Sequence, residues 1–266
     1  MLNAGTSAIP RLTRCVILIL WLLPASNIHA HNSTTAVTLQ VLTLCDTCQV
    51  LVLGETHQKP ESPRLFIDLV TQLIAQGEHI LVGLEVSAAQ QDALDAVMAG
   101  KRAPEGIAHP IIDSPSFQKM LSELSELYQT HGPLLTVVAI DALDSEKIRD
   151  AAMARNIRHH LASGQFERAV VLVGNLHAIR KMQWAKDAGR KMPYLAERLI
   201  DADVKVTSVM QDFDPECSHR KDPTFCSIND RKGLEAVRRQ LDAVKHQSGM
   251  DMSKVSDGII IWECQE

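Results

Sequence analysis

Six short, almost unbroken apolar runs punctuate the chain, and they constrain its fold more than any other feature. They are VLVLG (50–54), ILVGLE (80–85), LLTVVAIDA (134–142), AVVLVG (169–174), VKVTSVMQD (204–212) and GIIIWE (258–263). A strand with one face in water alternates apolar and polar residues, whereas a strand covered on both faces is apolar throughout. Between most of the runs lie segments with helical spacing. PRLFIDLVTQLIAQG (63–77) puts Leu65, Leu69, Leu73 and Ile74 on one face and stops at Gly77. DSEKIRDAAMARNIRHHLASG (144–164) has Asp144 as N-cap and Gly164 as its stop. NDRKGLEAVRRQLDAVKHQSG (229–249) reads as another helix despite Gly233 in its first turns. Doubly buried strands alternating with helices predict an α/β fold, a mainly parallel central sheet flanked by helices. The long gap at 86–133 holds two further helical patterns, which predict a helical cap inserted after the second strand, over one end of the sheet.

The 266 residues suffice for a substantial core. No stretch rich in Pro, Gly or Ser divides them, so residues 31–266 are expected to form a single domain. The first thirty read as a signal peptide instead. Arg11 and Arg14 precede the nine-residue apolar stretch Cys15–Leu23, and PASNIHA ends at a small residue, placing cleavage after Ala30. Nine apolar residues are too few to span a bilayer, which needs about 20, so no stable membrane span is expected once the leader is removed. Export to the periplasm or beyond follows. Removing the leader takes two arginines and no acid from a chain whose net charge is already −5. With aromatics at 4%, that charge excludes a stacking or phosphate-tracking surface, and no nucleic-acid partner is expected.

Export makes the five remaining cysteines disulfide candidates before metal ligands. Cys217 and Cys226 flank the polar loop SHRKDPTF, and a bridge between them is the simplest pairing. Cys45-x-x-Cys48 reads as a redox pair, a zinc half-site or a local bridge, and its spacing alone does not choose.

In open α/β sheets, ligands bind beyond the carboxyl ends of the strands. Those ends carry Glu55 and His57, then Glu85, Asp141, Asn175 and His177, and Gln211 and Asp212. Two of them repeat one pattern, an apolar strand followed by G-x-x-H: Gly54 to His57 and Gly174 to His177. Glycine permits a tight turn and a close backbone approach, and Glu55 and His57, two apart, point to one side of an extended chain. Two imidazoles with carboxylates suit a divalent transition metal with an open position for water, the ligands being Glu55, His57 and His177. They equally suit direct activation of water by a histidine base and a glutamate that orients it. No Ser or Cys sits in a nucleophile context, so water is the expected attacking group.

The motifs LGETH, GLE, RDAAMARNI and VLVGNLHA, with a looser SDGIIIWE, resemble the superfamily that joins ChaN-like haem-uptake proteins, the Tiki/TraB family and erythromycin esterases. The resemblance covers scattered motifs from about 50 to 180. It implies an α/β fold with a site of Glu55, His57, Glu85 and His177, and with Arg149 and Asp150 on a helix nearby. Tiki proteins are described as metal-dependent proteases and erythromycin esterases as hydrolases using His and Glu. ChaN binds haem through a Tyr, and neither Tyr128 nor Tyr194 of this chain lies in a matching motif. The combined expectation is an exported hydrolase of a small-molecule or peptide substrate. Glu55, His57 and His177 ligate metal or water, Glu85 is a second ligand or base, and Arg149 stabilises negative charge or orients a carboxylate. The alternative is a haem or metal carrier without catalysis, its haem slot supplied by 86–133 with Met98, Met120 and Tyr128.

Overall fold

A computed structural model describes residues 28–143, 146, 148–188, 192–213, 223–242, 244 and 246–263, with side chains from residue 34. Seven strands form one sheet: β1 (Val50–Glu55), β2 (Ile80–Ser87), β3 (Leu135–Asp141), β4 (Arg168–Gly174), β5 (Val206–Phe213), β6 (Thr224–Ser227) and β7 (Gly258–Trp262). Their spatial order is β3-β2-β4-β1-β5-β7-β6, all parallel except β6, which runs antiparallel to β7. The expected architecture is therefore present, and all six apolar runs are its parallel strands.

Successive residues of each strand point to opposite faces. Leu51 and Leu53 of β1 join a core built with α1 (Ile28–Leu44), α2 (Glu61–Ala75), α3 (Gln91–Met98) and α4 (Pro115–His131). Val50 and Val52 join a second core built with α5 (Arg149–Leu161), α6 (Leu195–Ile200) and α7 (Arg231–Leu241). Three layers result, with both sheet faces dry. The face of α2 foreseen at Leu65, Leu69, Leu73 and Ile74 is buried throughout. Each such side chain contributes roughly 1.5–3 kcal/mol of burial.

Three details differ from the expectations. Helix α5 begins at Arg149, with Ile148 at its N-cap position and no side-chain cap, and Asp144 lies outside the described residues. The helical insert expected after β2 is present as α3 and α4, but these helices pack into the core instead of over the strand ends. Leu94, Val97, Met98, Phe117, Met120, Leu121 and Leu124 pack into the same core as α2, and it is Gln90 and residues of the connecting segment 99–114 that line the pocket at the strand ends. Finally, Cys226 is a free, buried thiol, paired across the sheet with Ile259 and packed in the second core, so the bridge to Cys217 is not formed. Cys217 itself lies outside the described residues, as do Cys264 and residues 1–27 of the expected leader. The cleavage point after Ala30 falls in the first turn of α1.

The disulfide that is present joins Cys45 and Cys48, whose Cα atoms are 4.9 Å apart. It fastens the end of α1 at the amino end of β1, the edge opposite the G-x-x-H motifs. There Arg168 donates to the Cys45 carbonyl at 2.8 Å. No helix among the described residues is long and apolar enough to cross a membrane.

Candidate active site

Strands β1 and β4 are hydrogen-bonded neighbours, with Gly54 opposite Val173 and Glu55 opposite Gly174. The motif glycines leave room for what packs over this edge, Asn175 over Gly54 and the His57 ring over Gly174. A Cβ on Gly54 would lie 2.5 Å from Asn175 Oδ1, and one on Gly174 would lie 3.2 Å from His57 Nε2. Because β1 and β4 pair in this register, the two G-x-x-H segments meet at one edge. Glu85 arrives from β2, on the other side of β4.

His57 Nδ1 is 2.8 Å from Glu55 Oε1, and the carboxylate is buried. A carboxylate accepts only, so the proton sits on Nδ1 and the Nε2 lone pair is left free in the neutral ring. Burial opposes the charged imidazolium, but the Glu55 hydrogen bond and the charges of Glu55 and Glu85 outweigh it. The His57 pKa therefore lies above its ordinary value.

His177 is held differently. Its Nδ1 is 2.6 Å from Asp150 Oδ1, and its Nε2 is 3.5 Å from Glu85 Oε1. Burial again opposes the charge, and the two carboxylates overcome it, raising its pKa to about 9. Asp150 is buried in the first turn of α5 and also accepts from the Leu195 backbone N–H at 2.9 Å. Glu85 has both oxygens occupied. Oε1 accepts from Arg149 at 2.7 Å and Oε2 from the Gly174 backbone N–H at 2.7 Å. Burial pushes its pKa up, but the hydrogen bond and charge of His177, the Gly174 N–H and the charge of His57 together bring it down to about 2.

Arg149 bridges Glu85 and Asp141, reaching the latter through Nε at 3.0 Å and Nη2 at 2.6 Å. Of its two expected roles, the geometry displays the orienting of carboxylates. Asp141 also accepts from the Ala142 N–H at 2.7 Å.

The pocket over these groups has a volume of about 680 Å³. His57, Glu85, Asp141, Arg149 and His177 line it, together with residues of 106–112 and 142–146. All four residues carried by the motifs, with Arg149, thus belong to one cluster, Glu55 behind His57. Asp141 joins it through Arg149, whereas the strand-end residues Asn175, Gln211 and Asp212 do not. Asn175 donates to the Gln211 carbonyl and to Gln240, Gln211 donates to the Gly54 carbonyl and accepts from Trp262, and Asp212 accepts from Gln240. They form a structural strap across β4, β1, β5 and β7.

Sequence reasoning placed Asp150 near the site only by resemblance and assigned it no task, and it passed over His109, which lines the pocket. For Asp150 the signal is its place beside Arg149 at the helix start. His109 has no motif around it.

The three expected metal ligands are not presented as a ligand set. Glu55 spends Oε1 on His57, and Glu85 between the histidines is paired with a guanidinium. Among the described residues no group of three or more His, Cys, Asp or Glu is arranged to hold a metal ion. The residues expected beside a haem slot are elsewhere too. Met98 and Met120 are buried in the core, and neither Tyr128 nor Tyr194 lines the pocket.

The fold recurs among solved structures. A mutant of the erythromycin esterase EreC, in its open conformation, matches with a TM-score of 0.58 at 11% identity, over 84% of this chain and 92% of that one. A Bacillus cereus protein matches at 0.57 with 10% identity over 85% of this chain and 91% of its own. A succinoglycan biosynthesis protein matches at 0.57 with 9% identity over 84% and 89%. At such identities the likeness is one of fold alone. No protein-family model and no curated protein matches the sequence.

Proposed function

We propose that the chain is a hydrolase in which His57, oriented by Glu55, activates water against a small-molecule or peptide substrate. The observation that carries this reading is the His57–Glu55 contact of 2.8 Å at the edge of the pocket. It fixes the ring so that Nε2 can accept a proton, and the carboxylate stabilises the imidazolium that forms. His177, held charged to about pH 9, is a donor and a fixed positive charge and not a second base. Glu85, with a pKa of about 2, is a poor base at neutral pH. Its work is to hold Arg149 and His177 in place. Arg149 and His177 are then the groups near which negative charge develops most cheaply in the transition state.

We also place the chain outside the cytoplasm, periplasmic or secreted, with residues 31–266 as its single domain. The leader-like start and the Cys45–Cys48 bridge support this.

The test is a panel of p-nitrophenyl esters and peptide amides offered to the wild type and to His57→Ala, with haem titrated in parallel and followed by its Soret absorbance. The reading predicts hydrolysis that falls by about 10²–10⁴-fold in the variant while circular dichroism is unchanged. Stoichiometric haem uptake that His57→Ala leaves unaltered, with no turnover of any substrate, would replace it by the carrier reading.

A further inference from the structure

Opposite the charged strand ends, the pocket is walled by a short segment with a construction of its own. Ile107 and Ile112 are buried and anchor it. Between them the chain is folded tightly, the His109 carbonyl accepting from the N–H groups of Ile112 at 2.8 Å and Asp113 at 2.9 Å. Asp113 closes the base by accepting from the Gly106 N–H at 2.9 Å. What this turn leaves outside is informative. Ile111 is 53% exposed, and on the far wall, just past β3, Leu143 is 42% exposed, and both line the pocket. His109 lines it too, its Nδ1 accepting from the Ile111 N–H at 3.3 Å. That hydrogen bond puts the proton of the neutral ring on Nε2, leaving a fixed donor.

Charge complementarity narrows the ligand. Among the described lining residues Arg149 is the one Lys or Arg, and it is already bonded to both Glu85 and Asp141. The remaining lining acid, Glu146, is paired with Arg155. His177 is paired with Asp150 and Glu85, and His57 with Glu55, so every charged group of this lining already has a partner of opposite sign.

We infer that Gly106–Asp113 is the selectivity element of the pocket, and that the site takes a neutral, amphipathic small molecule. Its apolar body rests on Ile111 and Leu143, and an acceptor oxygen takes the His109 Nε2–H. The volume of about 680 Å³ fits a ligand of that class. The inference shares its pocket with the hydrolase reading, so its test measures binding without turnover and the two fail separately.

The probe is prodan, a neutral naphthalene with a ketone oxygen, titrated by fluorescence into the full chain. Anilinonaphthalene sulfonate serves as an anionic comparator of similar apolar bulk. Prodan should bind saturably and more tightly than the sulfonate. The double variant Ile111→Ser/Leu143→Ser should weaken prodan about tenfold or more, the loss expected for two half-covered aliphatic contacts. His109→Ala should weaken it several-fold, and His109→Gln, which keeps a donor, should recover part of that. All of these side chains are exposed, so the fold is not at risk. No saturable prodan binding, tighter binding of the sulfonate, or affinity unchanged in the double variant would overturn the inference. An unchanged affinity in His109→Ala would remove His109 from it.

Discussion

At Gly54 one added methyl group would collide with Asn175 in the turn that follows β4. Its Cβ would stand 2.5 Å from Asn175 Oδ1 and 3.0 Å from Asn175 Cα, and the latter is backbone that cannot swing away. Forcing volume into a packed site of this kind typically costs about 1–3 kcal/mol. Gly54→Ala should therefore lower the thermal midpoint measurably and disturb the Asn175–Gln211–Gly54 hydrogen bonds, and an unchanged midpoint would show that the close approach is not real. The glycine itself was legible in the sequence, because an apolar strand that ends twice in G-x-x-H marks a tight turn carrying polar groups. What the glycine touches was not legible, since Asn175 lies on a different segment. The tasks of Asp150 and Asp141 were hidden for a related reason. Each acquires its task from a partner on another element, Asp150 from His177 and Asp141 from Arg149.

The elements legible in the sequence were those whose burial is symmetric. Strands β1, β2, β4 and β7 read as continuous apolar runs because helices cover both of their faces, and β7 is buried along its whole length. Strand β6, Thr224–Ser227, is short, partly exposed and antiparallel at the sheet edge, and its TFCS carries no periodic signal. Its neighbour relation to β7 is also why Cys226 turns into the core instead of toward a loop partner. The helical insert after β2 is present as expected, and only its seat differs. The spacing of 86–133 showed two amphipathic helices without showing which surface they cover, and they join the core under α2 instead of the strand ends. The element most open to test is the end of α1. Because the Cys45–Cys48 bridge closes so short a loop, the chain-entropy view gives it about 2 kcal/mol. Replacing both cysteines by Ala should reduce the unfolding free energy in urea by about that amount. Ligand binding in the pocket, at the opposite edge of the sheet, should be unchanged. A loss of binding together with stability would show that the two edges are coupled.

At the scale of the molecule, the sheet brings together groups far apart in sequence: Glu55 and His57 from β1, Glu85 from β2, Asp150 and Arg149 from α5, and His177 beyond β4. Their charges are meaningful only as a set. The carboxylates of Glu55, Glu85, Asp141 and Asp150 surround two imidazoles and a guanidinium, so both histidines favour protonation and Glu85 favours ionisation. The two rings nonetheless differ, since Asp150 and Glu85 both face His177, whereas Glu55 alone is bonded to His57. That difference separates a ring whose pKa is raised by one bonded carboxylate from one raised to about 9 by two. It is the physical content of the proposed division between base and fixed cation. The most direct measurement is a histidine NMR titration of the wild type, Glu55→Gln and Asp150→Asn. The account predicts that His177 titrates at about 9 and His57 above 6.5, that Glu55→Gln lowers the His57 value, and that Asp150→Asn lowers that of His177. Both rings titrating near 6.5, indifferent to either substitution, would contradict it.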